Sequence, residues 1–133
     1  MISWFEKRKV LSWSATFIIA VAIFIISSIS FSAVVAGSSG IRAIIYHVSA
    51  FFFLALFLFI SLINGKKRPF LIFLAFFVAV IYGISDEIHQ YFVPGRFLSV
   101  SDILFDTIGI FYAFMIYFIS IEYRNGKKYM GGN

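Results

Sequence analysis

Cysteine is absent from this 133-residue sequence, which excludes disulfides and thiolate chemistry. Proline occurs twice, at Pro69 and Pro94, and each falls at a boundary between apolar runs. Charge is scarce: 13% of residues are Asp, Glu, Lys or Arg, against about 25% in soluble domains. Acidic residues number six and histidines two. What is present instead is apolar. The chain is 62% hydrophobic, holds 19 phenylalanines and has a mean hydropathy of +0.99. A water-soluble fold of this size has no interior large enough for them. The composition predicts an all-α integral membrane protein. At roughly 20 residues per crossing the length accommodates four transmembrane helices and no separate soluble domain, so residues 1–133 read as a single membrane domain. The net charge of +5 would point to nucleic acid in a soluble protein. Here the placement of basic residues about the membrane accounts for it, and the expected partner is the lipid bilayer.

The apolar runs predict spans over about residues 10–31, 42–63, 70–90 and 102–121. A short basic segment, MISWFEKRKV, precedes the first. Ala33-Val-Val-Ala36 before Gly37 resembles a signal-peptide cleavage site, but the preceding apolar run of 22 residues is longer than the roughly 7–15 of a secretory signal. The first span is therefore read as retained. Ala36-Gly-Ser-Ser-Gly40 is turn-forming, and Asn64-Gly-Lys-Lys-Arg-Pro69 is a tight basic loop with proline suited to the first turn of the next helix. Val93-Pro-Gly-Arg96 breaks the third span. Ser99 or Ser101 can cap the fourth, with Asp102 at its positive end. That span is expected to end near Glu122, followed by a polar tail.

Basic residues set the orientation. Lys7, Arg8, Lys9, Lys66, Lys67, Arg68, Arg124, Lys127 and Lys128 lie at the termini and the second-to-third loop, whereas Arg42 and Arg96 lie at the other two loops. The positive-inside rule then places both termini in the cytoplasm and the Arg42 and Arg96 loops outside. Sequence distance at about 1.5 Å per residue sets depth. His47 lies early in span two, Asp86 to Gln90 close span three, and Asp102 and Asp106 open span four. Three helices are thus expected to carry ionisable groups within about two turns of one outer surface.

Ser85 to Gly109 holds four of the six acids: Asp86, Glu87, Asp102 and Asp106. It also holds His89, Gln90 and Arg96. Ionisable groups are costly within a bilayer, so such a cluster marks a candidate site. On a helix Asp86 and Gln90 share a face, and His89, about 300° around from Asp86, is read as adjacent. Asp102, Asp106 and Gly109 follow one stripe continued by Ala113, whose small residues permit close helix approach. Each member also has an ordinary reading. His47 can be a packing residue bonded to a neighbouring helix. Asp86 and Glu87 can be the wet end of a span, Arg96 a headgroup anchor, and Asp102 a helix N-terminal charge. Asp106 is the hardest to treat so, because at its depth it must be paired or protonated. The group supports three jobs: general base on water or a hydroxyl, binding of a divalent cation, for which no spacing here is diagnostic, and bidentate contact of Arg96 with a phosphate. A fourth is that acids and Arg96 merely lock the loop.

The residues Asp86-Glu-Ile-His-Gln90, Phe92-Val-Pro-Gly-Arg96, Ser99, Asp102 and Gly109, with His47 and Phe51 in span two, resemble the VanZ-like family. Two positions depart from its pattern: Asp106 stands where an amide is usual, and Phe51 where tyrosine is common. The resemblance implies a small multi-pass protein of the bacterial plasma membrane, associated through its namesake with teicoplanin resistance, and names no reaction. The site expectation is Asp86, Glu87, His89, Asp102 and His47 as catalytic groups, Gln90, Arg96 and Asp106 as substrate contacts, and no assignable metal or cofactor. The substrate expected is lipid-linked or another component of the cell envelope. The alternative is a non-catalytic membrane protein that alters antibiotic access or partner assembly, its polar cluster serving as a structural lock. An ion- or proton-coupled transporter is disfavoured, because the ionisable groups gather at one side.

Overall fold

The computed structural model describes residues 1–30, 39–66 and 68–130. Four long helices follow one short one: α1 (Ile2–Glu6), α2 (Lys9–Ser27), α3 (Ser39–Ile63), α4 (Pro69–Tyr91) and α5 (Val100–Met130). No strand occurs among the described residues. The four long helices are each long and apolar enough to cross a membrane. Even the shortest, α2 with 19 residues, extends about 28 Å, close to the thickness of a hydrocarbon core. The expected cleavage motif at residues 33–36, most of the turn that follows it, and Lys67 lie outside the described residues.

The helix α3 is the one on which the others pack, with α2, α4 and α5 all against it. Phe51, Ala55, Phe59 and Ile63, spaced by four, are at most 1% exposed and form its inner stripe. From α5 the stripe Asp106, Ile110, Ala113, Tyr117 and Ile121 meets it. From α4 come Ile72, Ala75, Ala79 and Gly83, the last three small enough to let that backbone draw near. Hydroxyls link the helices. Thr16 and Ser61 are 3.2 Å apart between α2 and α3, and the Tyr82 hydroxyl donates to the Ala20 carbonyl at 2.6 Å between α4 and α2. At about 0.6 kcal/mol each in lipid, such bonds fix register more than they hold the bundle.

The outside is the reverse of a soluble protein. Phe17, Phe73, Phe77 and Ile81 point outward and are more than half exposed in the bare chain, while Ser12, Thr16, Ser61, His47 and several acids are buried. Water disfavours that arrangement and lipid favours it.

Two turns shape the ends. Asn64 and Gly65, at φ 50 and 72, close α3, and Pro69 then starts α4 in its first turn, where its missing N–H is no loss. Beyond α4, the Arg96 N–H donates to the Val93 carbonyl at 3.1 Å, with Gly95 at φ 80. Proline followed by a positive-φ glycine makes this a type II turn.

The helix boundaries differ from expectation at three places. The short α1 was not anticipated; Ile2 and Phe5 pack on the core and Glu6 is buried beneath them. The helix α2 ends at Ser27, before the expected residue 31. The helix that carries the fourth span continues past Glu122: α5 runs to Met130, through the segment read as a tail. Asn125 and Gly126 are poor helix formers, but Arg124 is held by α1, and cations in the final turns suit the negative end of the helix.

Candidate functional site

One end of the bundle gathers the start of α3, the end of α4 and the start of α5. The helix α5 begins there because Ser99 caps it. Its hydroxyl accepts from the Asp102 N–H at 3.3 Å, and its carbonyl accepts from Asp102 and Ile103. From this cap Asp102 and Asp106 descend one turn apart toward α3.

His47 lies between them, 4% exposed. Its Nδ1 is 2.9 Å from Asp106 Oδ1, and its Nε2 is 3.8 Å from Asp102 Oδ2. With Asp106 ionised, Nδ1 carries the proton and donates it, so that Nε2 presents a lone pair toward Asp102. The separation on that side is too long for a hydrogen bond. Asp102 is a quarter exposed, so this edge of the cluster is the one open to the surroundings.

The helix α4 supplies the other wall. Glu87 is fully buried, with Oε2 accepting from the Ser99 N–H at 3.0 Å. Asp86 is 4% exposed and accepts from Gln90 Nε2 at 2.9 Å through Oδ2. Gly83 leaves room for Asp106, whose Oδ2 lies 3.3 Å from where a Cβ would stand. Tyr46, one residue before His47, is within electrostatic reach of Asp86, Arg96 and Asp106.

Four buried polar atoms in this region lack a hydrogen-bond partner among the described residues: Asp86 Oδ1, Glu87 Oε1, Asp106 Oδ2 and the Tyr46 hydroxyl. An unmet buried group costs about 1–3 kcal/mol, more when charged. Four within one cluster are not a by-product of packing. Protons, water, an ion or a ligand group are what such atoms can take up.

The structure brings His47, Glu87, Asp102 and Asp106 together, with Asp86 and Gln90 alongside. It does not bring in His89. That side chain leaves the opposite flank of α4, stacks on Phe24 at 4.5 Å between ring centroids, and places Nε2 2.9 Å from the Ser28 hydroxyl of α2. The 300° offset from Asp86, read as adjacency, is enough to change the neighbouring helix. Glu87 is not the wet interfacial acid that one reading allowed. Arg96 is also committed within the protein. It donates from Nη1 to Gln90 Oε1 at 2.8 Å, and from Nε and Nη2 to the carbonyls of Ile29 and Ile26, each at 3.2 Å. It thereby ties the turn after α4 to Ile26 in the last turn of α2 and to Ile29 two residues beyond that helix. Asp106, expected to contact substrate, holds His47 through Oδ1.

With this geometry the sequence can be compared with known families. The sequence model of the family described as VanZ/LLP1 matches residues 6–121. The chain belongs to the VanZ/LLP1 family. Neither the curated proteins nor the solved structures compared with it give a match. The VanZ/LLP1 match covers all of the cluster, and with four membrane-crossing helices it makes this a multi-pass membrane protein.

A second ionic group at the other end of this VanZ/LLP1 chain was not anticipated. Glu6, 7% exposed, accepts from the Tyr117 hydroxyl at 2.9 Å and forms a two-pronged pair with Arg124. The Tyr117 hydroxyl also accepts from the Gly65 N–H at 3.2 Å, joining α1, the α3–α4 turn and α5. A cavity of about 940 Å³ opens beside them, lined by Lys7, Arg8, Lys9 and Arg124 among others, far along the helices from the acids. The sequence held a signal for this group: Tyr117 lies on the stripe that starts at Asp106, and Glu6 is the one acid in a basic segment.

Proposed function

We propose that this VanZ/LLP1-family protein sits in the bacterial plasma membrane with both termini in the cytoplasm, and that its acidic end, just beneath the outer surface, binds or acts on a lipid-linked or other cell-envelope substrate. The supporting observation is the His47–Asp106 pair with its open edge at Asp102. An imidazole oriented by a buried carboxylate offers Nε2 as a base toward a hydroxyl or water. Glu87, with one oxygen anchored by the Ser99 N–H and the other without a partner, is the second group poised to hold a proton or a ligand. Asp86, Gln90 and Arg96 carry the outer wall, and Arg96 acts by positioning it. The association of the namesake with glycopeptide resistance makes teicoplanin susceptibility the readout of choice.

The test is to express the chain in a susceptible bacterium and compare His47→Ala, Glu87→Gln and Asp102→Asn. The substitutions are expected to abolish the wild-type shift in teicoplanin susceptibility, while membrane levels and melting temperature in detergent stay near wild type for Asp102→Asn. Full activity in all three sinks the site reading, and no wild-type shift removes the link to resistance. The competing reading, a structural lock, draws on Arg96, whose bonds fasten a turn to α2. It predicts instead that yield, melting temperature and activity fall together.

Sidedness has its own test. The chain contains no cysteine, so a single introduced thiol is the sole label site. Phe97→Cys, at a position 85% exposed, is expected to react with a membrane-impermeant maleimide in intact cells, and Lys66→Cys only after lysis. The reverse pattern would invert the protein and put the acids on the cytoplasmic side.

A further inference from the structure

We infer that the acidic end is a binding site for one divalent transition cation, held by His47, Glu87 and Asp106. One potential ligand atom from each of these three buried side chains lies within 4.8 Å of the others. They come from three helices, α3, α4 and α5, so an ion here would staple the bundle at the point where its functional groups meet.

The cluster of acids alone would not carry this. The unmet atoms do. Glu87 is fully buried and Asp106 is 1% exposed, yet Glu87 Oε1 and Asp106 Oδ2 have no partner. Each carboxylate has one oxygen spoken for, by the Ser99 N–H and by His47 respectively, and one that is not. The Ser99 N–H holds Glu87 while leaving its other oxygen for a ligand, the arrangement that supporting groups give to metal-binding side chains.

The distances agree with an ion of this class. Two ligands about 2.0–2.2 Å from a metal are about 3 Å apart at the right angles of an octahedral site and about 3.4 Å apart in a tetrahedral one. His47 Nδ1 and Asp106 Oδ1 are 2.9 Å apart. Loading the site exchanges that hydrogen bond for two bonds to the ion, and the imidazole proton passes by way of solvent from Nδ1 to Nε2, on the side of Asp102, so that the ring stays neutral. The Glu87 oxygen, within 4.8 Å of the other two and without a partner of its own, is the one that swings in to complete the set. One imidazole and two carboxylates suit Zn²⁺ or Mn²⁺; Mg²⁺ prefers oxygen ligands and keeps its water. Charge points the same way. Asp86, Glu87, Asp102 and Asp106 share this end with Arg96 and the exposed Arg42, and buried carboxylates require neutralisation. Asp102, a quarter exposed and 3.8 Å from His47 Nε2, stands at the entrance through which an ion would pass.

The experiment uses full-length protein, tag removed, in detergent or lipid nanodiscs. It is stripped with chelator and titrated with Zn²⁺ and Mn²⁺, with Mg²⁺ as control. The expected result is one equivalent of Zn²⁺ or Mn²⁺ per chain and a higher melting temperature when loaded. Glu87→Gln, which preserves side-chain shape, is expected to weaken binding by about tenfold or more, the scale on which metal sites respond to altered support. Asp106→Asn should do the same, and a second carboxylate variant keeps the test open if His47→Ala fails to fold. Absence of stoichiometric binding, or binding unchanged in both Glu87→Gln and Asp106→Asn, overturns the cation site. That result is distinct from failure of the envelope-substrate reading, which is scored on teicoplanin susceptibility without added metal.

Discussion

Gly109→Ala is expected to cost most of the folded protein, although it adds a single methyl group. A Cβ at Gly109 would lie 2.3 Å from the Val48 carbonyl oxygen and 3.0 Å from the Phe52 nitrogen, both backbone atoms of α3. Backbone cannot step aside as a side chain can, so α3 and α5 must separate. Overpacking usually costs about 1–3 kcal/mol and sometimes more; a clash with a helix backbone belongs at the upper end. The consequence reaches the site, because Val48 follows His47 and Gly109 lies one turn below Asp106. The approach that Gly109 permits is the one that brings His47 to 2.9 Å from Asp106. Gly83→Ala is the control. Its nearest contacts are side-chain atoms, Phe51 Cε1 at 3.2 Å and Asp106 Oδ2 at 3.3 Å, and these can shift slightly. Detergent-solubilised yield and melting temperature should fall steeply for Gly109→Ala and little for Gly83→Ala. Equal behaviour of the two would mean that α3 and α5 are not in backbone contact there.

Arg124→Ala should be the most damaging single change at the opposite end. It leaves the buried Glu6 carboxylate with the Tyr117 hydroxyl and no cation. Breaking a fully buried pair costs about 3–5 kcal/mol. Arg124 is one-third exposed, so water takes up part of the loss and about 2 kcal/mol is expected. Arg124→Lys should recover only part of it, since an ammonium does not reach both oxygens of Glu6 as the guanidinium does. The decisive comparison is the double variant Glu6→Gln/Arg124→Ala. Removing the charge that was stranded should restore most of the melting temperature. A double variant as unstable as Arg124→Ala alone would show that Arg124 acts through packing and not through its charge.

What was legible from composition and order was considerable. Four apolar runs separated by Gly, Asn and Pro gave four helices, because a membrane-embedded backbone must satisfy its hydrogen bonds within each segment. Pro69 at a helix start, Ser99 as a cap, the Asp86–Gln90 pair and the Asp106–Gly109–Ala113 stripe were likewise readable. They depend on contacts within one turn or two, where periodicity fixes geometry. His47 could be placed at the depth of the acids from residue counts alone.

Sequence could not choose between neighbours around a helix. His89 and Asp86 are three residues apart, and only the packing of α2 against one flank of α4 sends His89 to Ser28 while Asp86 and Glu87 face α3 and α5. Arg96 reads as a headgroup anchor, a phosphate contact or a loop lock in the sequence and is a clasp in the fold, because the carbonyls of Ile29 and Ile26 lie 67 and 70 positions back in the chain yet next to it in space. Glu6, Tyr117 and Arg124 meet only when the first and last helices share one end. The sequence alone thus determined membrane residence, the number of long apolar helices and the level at which the titratable groups lie, since these follow from hydrophobicity and axial rise. Tertiary structure alone decided which of those groups touch, because helix rotation and crossing are set by close packing of side chains from distant parts of the chain.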